Sequence, residues 1–109
     1  MDKIMTNVHE RFERLSGAYA PNTLRSYYAD VRSFVDWCNE RKVEPFPLTS
    51  ETLCYFIESL QTDYSYSSIR RRISALRRLN KLLGFEDNTH SEEVYIAIRR
   101  LKRTKCLEQ

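Results

Sequence analysis

Apolar residues return every three to four positions along most of this chain, a period that predicts amphipathic helices rather than strands. A first helix is expected over residues 2–16, with Ile4, Val8, Phe12 and Leu15 on one face and Gly17 as its stop. The second opens at Ala20-Pro21-Asn22-Thr23, where proline suits the first helical position. Its apolar residues Leu24, Tyr27, Tyr28, Val31, Phe34, Val35 and Cys38 fall within about 60° of one direction. Pro45 and Pro47 break the pattern, and Thr49 followed by Glu51 marks the start of a third helix carrying Leu53, Phe56, Ile57 and Leu60. The fourth fills residues 64–84 and stops at Gly84. The fifth starts at Thr89-His90-Ser91-Glu92, a Ser/Thr-x-x-Glu cap, and runs to about residue 102. No segment alternates as a strand would, and no internal repeat is visible. The expected fold is all-α, a compact bundle of four to five helices.

Length and composition narrow the class. A chain of 109 residues supports one domain that buries roughly two thirds of its unfolded surface. Nowhere does it offer the ~20 consecutive apolar residues of a membrane span, and residues 1–15 alternate charged and apolar positions instead of forming a signal peptide. A cytoplasmic protein is expected. The three cysteines are odd in number and far apart, which suits reduced thiols: Cys38 and Cys54 as small buried side chains, Cys106 as an exposed one. With no CxxC and with His9 and His90 isolated, no metal site, cofactor or small-molecule substrate is expected.

Charge changes the picture most. Residues 1–63 carry seven Lys/Arg against ten Asp/Glu, and residues 85–93 carry four acids and no Lys or Arg. Residues 64–84 instead carry six cations and residues 94–105 five, neither with an acid. On the fourth helix Ile69, Ile73, Leu76, Leu79 and Leu83 share one side. Ser67, Arg71, Ser74, Arg78 and Lys81 lie within about 40° of the opposite direction, flanked by Arg70 and Arg77. Solvated helix faces usually mix signs, because like charges four apart repel by a few tenths of a kcal/mol per pair. A face that keeps this repulsion suits an external polyanion, and its serines and arginines offer donors to phosphates and base edges. Double-stranded DNA is the expected partner. A membrane fits less well, since the apolar side holds only core-type Ile and Leu.

Three stretches of the chain carry a resemblance. The run Pro21-Asn22-Thr23-Leu24-Arg25-Ser26-Tyr27-Tyr28-Ala29-Asp30-Val31-Arg32-Ser33-Phe34, followed by Trp37, resembles the T-L-R-x-Y-x-x-D-hydrophobic-x-x-F-x-x-W signature of the N-terminal core-binding domain of tyrosine recombinases, the phage-integrase family. Residues 67–80, SSIRRRISALRRLN, are similar to that domain's T-I-x-R-x-L-S-A-L-R-x-L-H helix, and Ile98-Arg99-Arg100-Leu101-Lys102-Arg103 resembles its closing basic helix. Ala20 departs from the pattern by replacing a capping serine, at a cost of roughly 1 kcal/mol unless Asn22 caps the helix later. Ser68 stands for the usual Thr, and Asn80 for the usual His, a change bearing on any contact that position makes.

The resemblance implies a SAM-like bundle over residues 1–105, with residues 106–109 leading toward a separate C-terminal catalytic domain that would hold the arginines, lysine, histidines and nucleophilic tyrosine. No catalytic residue is therefore expected here, and the seven tyrosines read as structural, as do Phe34, Trp37 and Phe56. The implied role is a DNA-binding domain that clamps one side of a recombination site. Arg71, Ser74 and Arg78 would face the major-groove floor, with Ser67 on the same face. Arg70, Arg77 and Lys81 would reach phosphates, as would Asn22, Thr23 and Arg25 at the start of the second helix. Arg99 and Arg103 add candidate contacts, and other protomers of the same recombinase on DNA are the further partner. Five or six phosphate contacts would give a salt slope near −5. Two other readings share the all-α bundle. A helical protein-interaction module would set these basic faces against an acidic partner, such as Asp87, Glu92 and Glu93 of a second copy. A helix-turn-helix regulator fits least, because QTDYSYSS exceeds the tight turn that motif uses.

Overall fold

The computed structural model describes residues 3–15 and 17–107, without the side chains of Lys3, Ile4, Asn7, Cys106 and Leu107. The expectations for residue 2, Ser16, and the Ile4 and Cys106 side chains lie outside the described residues. Five helices follow one another: α1 (Lys3–Glu13), α2 (Pro21–Arg41), α3 (Ser50–Leu60), α4 (Tyr66–Leu82) and α5 (Glu92–Leu107). Among the described residues no β-strand forms, and no helix is long and apolar enough to cross a membrane.

Helix ends follow local chemistry. Pro21 occupies the first turn of α2, and Ala20 caps it without a side-chain hydrogen bond, as the missing serine implies. Asn22 does not take over that task, since its Oδ1 accepts from Arg25 Nη2 instead. Thr49 Oγ1 accepts from Thr52 N at 3.2 Å to start α3, and Ser65 Oγ accepts from Ser68 N at 3.2 Å to start α4. At the start of α5 the expected Thr89–Glu92 cap does not form. Ser91 Oγ receives Val94 N at 3.4 Å, while Thr89 is fully buried and bonded elsewhere. The helix also continues past residue 102, to Leu107. Gly84 turns the chain after α4 with φ +91°, a conformation other residues reach only with strain.

α2 lies against α4 and α3 against α5, with α1 covering the α2–α4 pair. Phe34 is the hub of the core: its ring meets Phe56 edge-on at 4.9 Å, with Phe46 and Trp37 around it. Val31, Val35, Leu53, Ile57, Ile69, Leu76 and Leu101 close over it, each almost fully buried. Of the positions expected on buried faces, Val8, Phe12, Val31, Phe34, Val35, Cys38, Leu53, Phe56, Ile57, Leu60, Ile69, Ile73, Leu76 and Leu79 are buried, whereas Leu15, Leu24, Tyr27, Tyr28, Trp37, Cys54 and Leu83 pack against the core half-buried. Tyr55, beside the apolar face of α3, stands 58% exposed.

Asn80 sits in the middle of the apolar face of α4 and is fully buried. Its Oδ1 accepts from Leu48 N at 2.9 Å and its Nδ2 donates to Glu86 O at 3.1 Å. One side chain thus ties α4 to the proline loop before α3 and to the segment leading to α5. In this chain the contacts made by position 80 are internal. Truncation would strand a buried N–H and a carbonyl, so Asn80→Ala should destabilise the domain by about 2–4 kcal/mol in urea unfolding. A change below about 0.5 kcal/mol would show the clamp to be dispensable.

Candidate nucleic-acid interface

α4 presents its front to solvent as expected. Ser67, Arg70, Arg71, Ser74, Arg78 and Lys81 are exposed, and Ile69, Ile73, Leu76 and Leu79 are buried behind them. From Arg71 to Lys81 the helix rises about 15 Å, or roughly four base-pair steps of duplex. The arginines differ sharply in how they are held.

Arg71 lies against Asp30 of α2. Its Nε donates to Oδ2 and its Nη2 to Oδ1, both at 3.1 Å, a bidentate fork that leaves the arginine side chain 49% exposed and the carboxylate 4%. The hydrogen bond to Asp30 is the largest influence on Arg71 and raises its pKa, with burial opposing. Arg72 packs behind, its Nη1 donating to Ser33 Oγ at 3.3 Å and its guanidinium 4.3 Å from the Tyr64 ring centre. Its Nε stops 3.9 Å from Asp30 Oδ1, an ion-pair distance without a hydrogen bond.

Arg77 turns toward the α4–α5 segment rather than outward. Its Nε donates to Thr89 Oγ1 at 2.9 Å and its Nη2 to Thr89 O at 3.0 Å. Burial lowers its pKa, partly offset by the charge of Asp87. Asp87 completes the knot: Oδ1 accepts from Thr89 N and Thr89 Oγ1, and Oδ2 lies 3.0 Å from His90 Nε2. Burial acts to raise the Asp87 pKa, but the Thr89 hydrogen bonds and the nearby His90 and Arg77 outweigh it and leave the carboxyl below its ordinary value. Asp87, which the interaction-module reading offers to a second copy, is occupied within its own chain.

Arg78 donates from Nη1 to Tyr19 Oη at 2.5 Å, with its guanidinium 5.3 Å from that ring centre. Tyr19 immediately precedes the N-terminus of α2. The contact therefore joins the front of α4 to Asn22, Thr23 and Arg25, of which Asn22 and Arg25 are exposed and Thr23 half-buried. Across the pair, Arg72 meets Ser33, Arg71 meets Asp30 and Arg78 meets Tyr19, so the two helices run antiparallel along this seam. The side chains of Arg70 and Lys81 make no hydrogen bond or ion pair among the described residues. Arg99 and Arg103 are exposed on α5, around a shallow concavity that also includes Tyr95 and Ile96 and no residue of α4. The Arg78–Tyr19 contact links the α4 candidates to the start of α2, while Arg99 and Arg103 lie on α5.

Sequence reasoning missed Tyr19, Asp30 and Thr89 as the anchors of this face. Asp30 left a signal, an acid at the border of an otherwise apolar helix side. The fold, the order of the helices and the motifs converge on one class. Residues 10–86 match the family of the phage integrase, N-terminal SAM-like domain, and the chain belongs to that family. It is 33% identical over 72 residues to the integrase/recombinase xerD homolog of Selenomonas ruminantium, an alignment covering 66% of this chain and 21% of that protein. The chain thus spans about a fifth of the relative it matches.

The Asp87 knot predicts an acid-dependent stability. A carboxyl whose pKa falls on folding stabilises the native state above its unfolded pKa of about 4 and loses that contribution as the pH drops through the native value. Asp87→Asn should therefore flatten the decline of Tm between about pH 5 and 2.5, measured by circular dichroism. Parallel acid limbs for the two proteins would remove Asp87 as a source of the dependence.

Proposed function

We propose that this domain binds double-stranded DNA as the core-binding arm of a site-specific tyrosine recombinase, clamping one side of the recombination site while a separate catalytic domain, beyond residues 106–109, grips the other. The observation that carries this reading is the front of α4, a rigid basic helix whose Arg70 and Lys81 have no acidic partner among the described residues, joined through Arg78 and Tyr19 to the start of α2. A major groove about 12 Å wide admits such a helix. Ser67, Arg71, Ser74 and Arg78 then face base edges, while Arg70, Lys81, Arg25 and the free N–H groups at Asn22 and Thr23 hold phosphates. Arg77 serves the interface indirectly, by fixing the far end of α4 on Thr89. Arg99 and Arg103 extend the basic surface on α5 and are secondary. The chain itself breaks no DNA in this reading.

The internal pairings lower the number of phosphate contacts below the sequence-based figure, because Arg71 shares its charge with Asp30 and Arg77 is taken up by Thr89. With about four contacts, log K should fall with log salt with a slope of about −4, and affinity at physiological salt should be micromolar or weaker. Fluorescence anisotropy with duplex DNA tests this. The double change Arg70→Gln/Lys81→Gln should flatten the slope by about two. A folded wild-type chain that binds no duplex at about 20 mM salt would overturn the DNA reading and turn the basic face toward an acidic protein. Tethering to a catalytic domain would tighten the whole through effective concentration.

A further inference from the structure

The six cations of residues 64–84 are not equivalent, and the difference is geometric. Arg70 and Lys81 are free at the surface, whereas Arg71 is gripped by a carboxylate that is itself almost completely buried. A guanidinium has five N–H donors in a planar fork. Asp30 takes two of them, from Nε and Nη2, at 3.1 Å each. Three remain, two on Nη1 and one on Nη2, so the distal edge keeps a parallel pair of donors on a side chain that is 49% exposed.

We propose that Asp30 is a positioning residue for DNA recognition: it holds Arg71 so that this free edge reads the O6 and N7 acceptors of a guanine in the major groove, which makes Arg71 the residue that determines specificity. This rests on the DNA reading above and adds to it a division of labour within α4.

Three physical points favour a base over a phosphate as the target of Arg71. A free arginine loses much of its side-chain entropy when it docks, whereas one already fixed by a bidentate carboxylate has lost it on folding. The paired Asp30 charge offsets that of Arg71, which weakens its attraction for a phosphate anion but leaves its donors directed. Base edges are neutral and reward direction more than charge, and the parallel pair of N–H groups matches guanine O6 and N7. Arg70 and Lys81 have the converse properties, full charge and freedom to follow the backbone. Arg78 is intermediate, held by one hydroxyl and one ring face.

The test is selection from a randomised duplex library by the wild-type chain, Asp30→Asn and Arg71→Ala, followed by titration of the selected duplex with each base at the position affected. The wild-type should select a guanine and prefer it over the other bases by about tenfold or more. Asp30→Asn should bring that preference close to unity at this position while preferences elsewhere keep their order. Arg71→Ala should do the same, and the double variant should be no worse than either alone, because both act through one contact. Asp30 is buried, so Asp30→Asn is to be checked by circular dichroism. Should it fail to fold, 15N relaxation at arginine Nε of the wild-type chain decides: Arg71 is expected near the order parameter of rigid backbone, about 0.85, and Arg70 below about 0.6. Equal mobility of the two, or a guanine preference that survives either single change, overturns the proposal. Duplex binding without base preference also overturns it and leaves the DNA reading standing, whereas absence of any binding removes both.

Discussion

The buried carboxylate of Asp30 constrains the structure more than any other single group. An ionised carboxylate withdrawn from water is tolerated only with paired, hydrogen-bonded cations, and α4 supplies Arg71 and Arg72 to the same side chain. Because consecutive residues on a helix point about 100° apart, only a narrow range of rotations of α4 brings both near one acid while Ile69, Ile73 and Leu76 stay in the core. Hydrophobic burial brings α2 and α4 together, and Asp30 selects how α4 is turned when they meet. The face that points outward is then no longer free to vary.

The same helix is fixed at its other end by polar groups in the core. Asn80 ties it to Leu48 and Glu86, and Arg77 ties it to Thr89, which Asp87 holds in turn. These bonds join segments that make no regular structure of their own, so the loops before α3 and α5 are held by side chains of α4 rather than by their own backbone. Their strength follows from burial: Asn80 and Thr89 are fully enclosed, where each missing partner would be expensive. α4 is therefore tethered by side chains to α2 and to the loops before α3 and α5. A surface built on it is rigid by construction.

Much of this was legible in the sequence. Period, prolines, glycines and Thr49 located the helices to within a few residues, since these signals act on the chain nearest to them. The front and back of α4 were equally readable, because one helix carries its own pattern. What could not be read was pairing across sequence. The cationic stripe has no acid within it, and its compensation comes from Asp30, 41 residues before Arg71. Thr89 fits a capping pattern locally, yet tertiary contacts with Arg77 and Asp87 claim it, and Ser91 caps the helix instead. Asn80 interrupts an apolar face, a visible anomaly whose partners Leu48 and Glu86 only the fold reveals. Tyr55 lies beside apolar residues of α3 and still faces solvent, because periodicity places a residue on a helix but not the edge at which the neighbouring helix ends.

These pairings change the meaning of the charge count. A stripe of six cations, taken as a sum, suggests uniform attraction for a polyanion. Arg72 is spent on the core, Arg77 on the α4–α5 connection, and Arg71 shares a carboxylate, so the field projected from α4 comes chiefly from Arg70, Arg78 and Lys81. Long-range attraction depends on net charge and is screened by salt, whereas directed hydrogen bonds depend on orientation and act only at contact. A helix that neutralises some of its arginines thereby trades affinity for geometry at those positions. In the proposed role, as an arm tethered to a second DNA-gripping domain, weaker independent attraction is expected: the tether would supply concentration, and the helix would be left to supply register on the duplex.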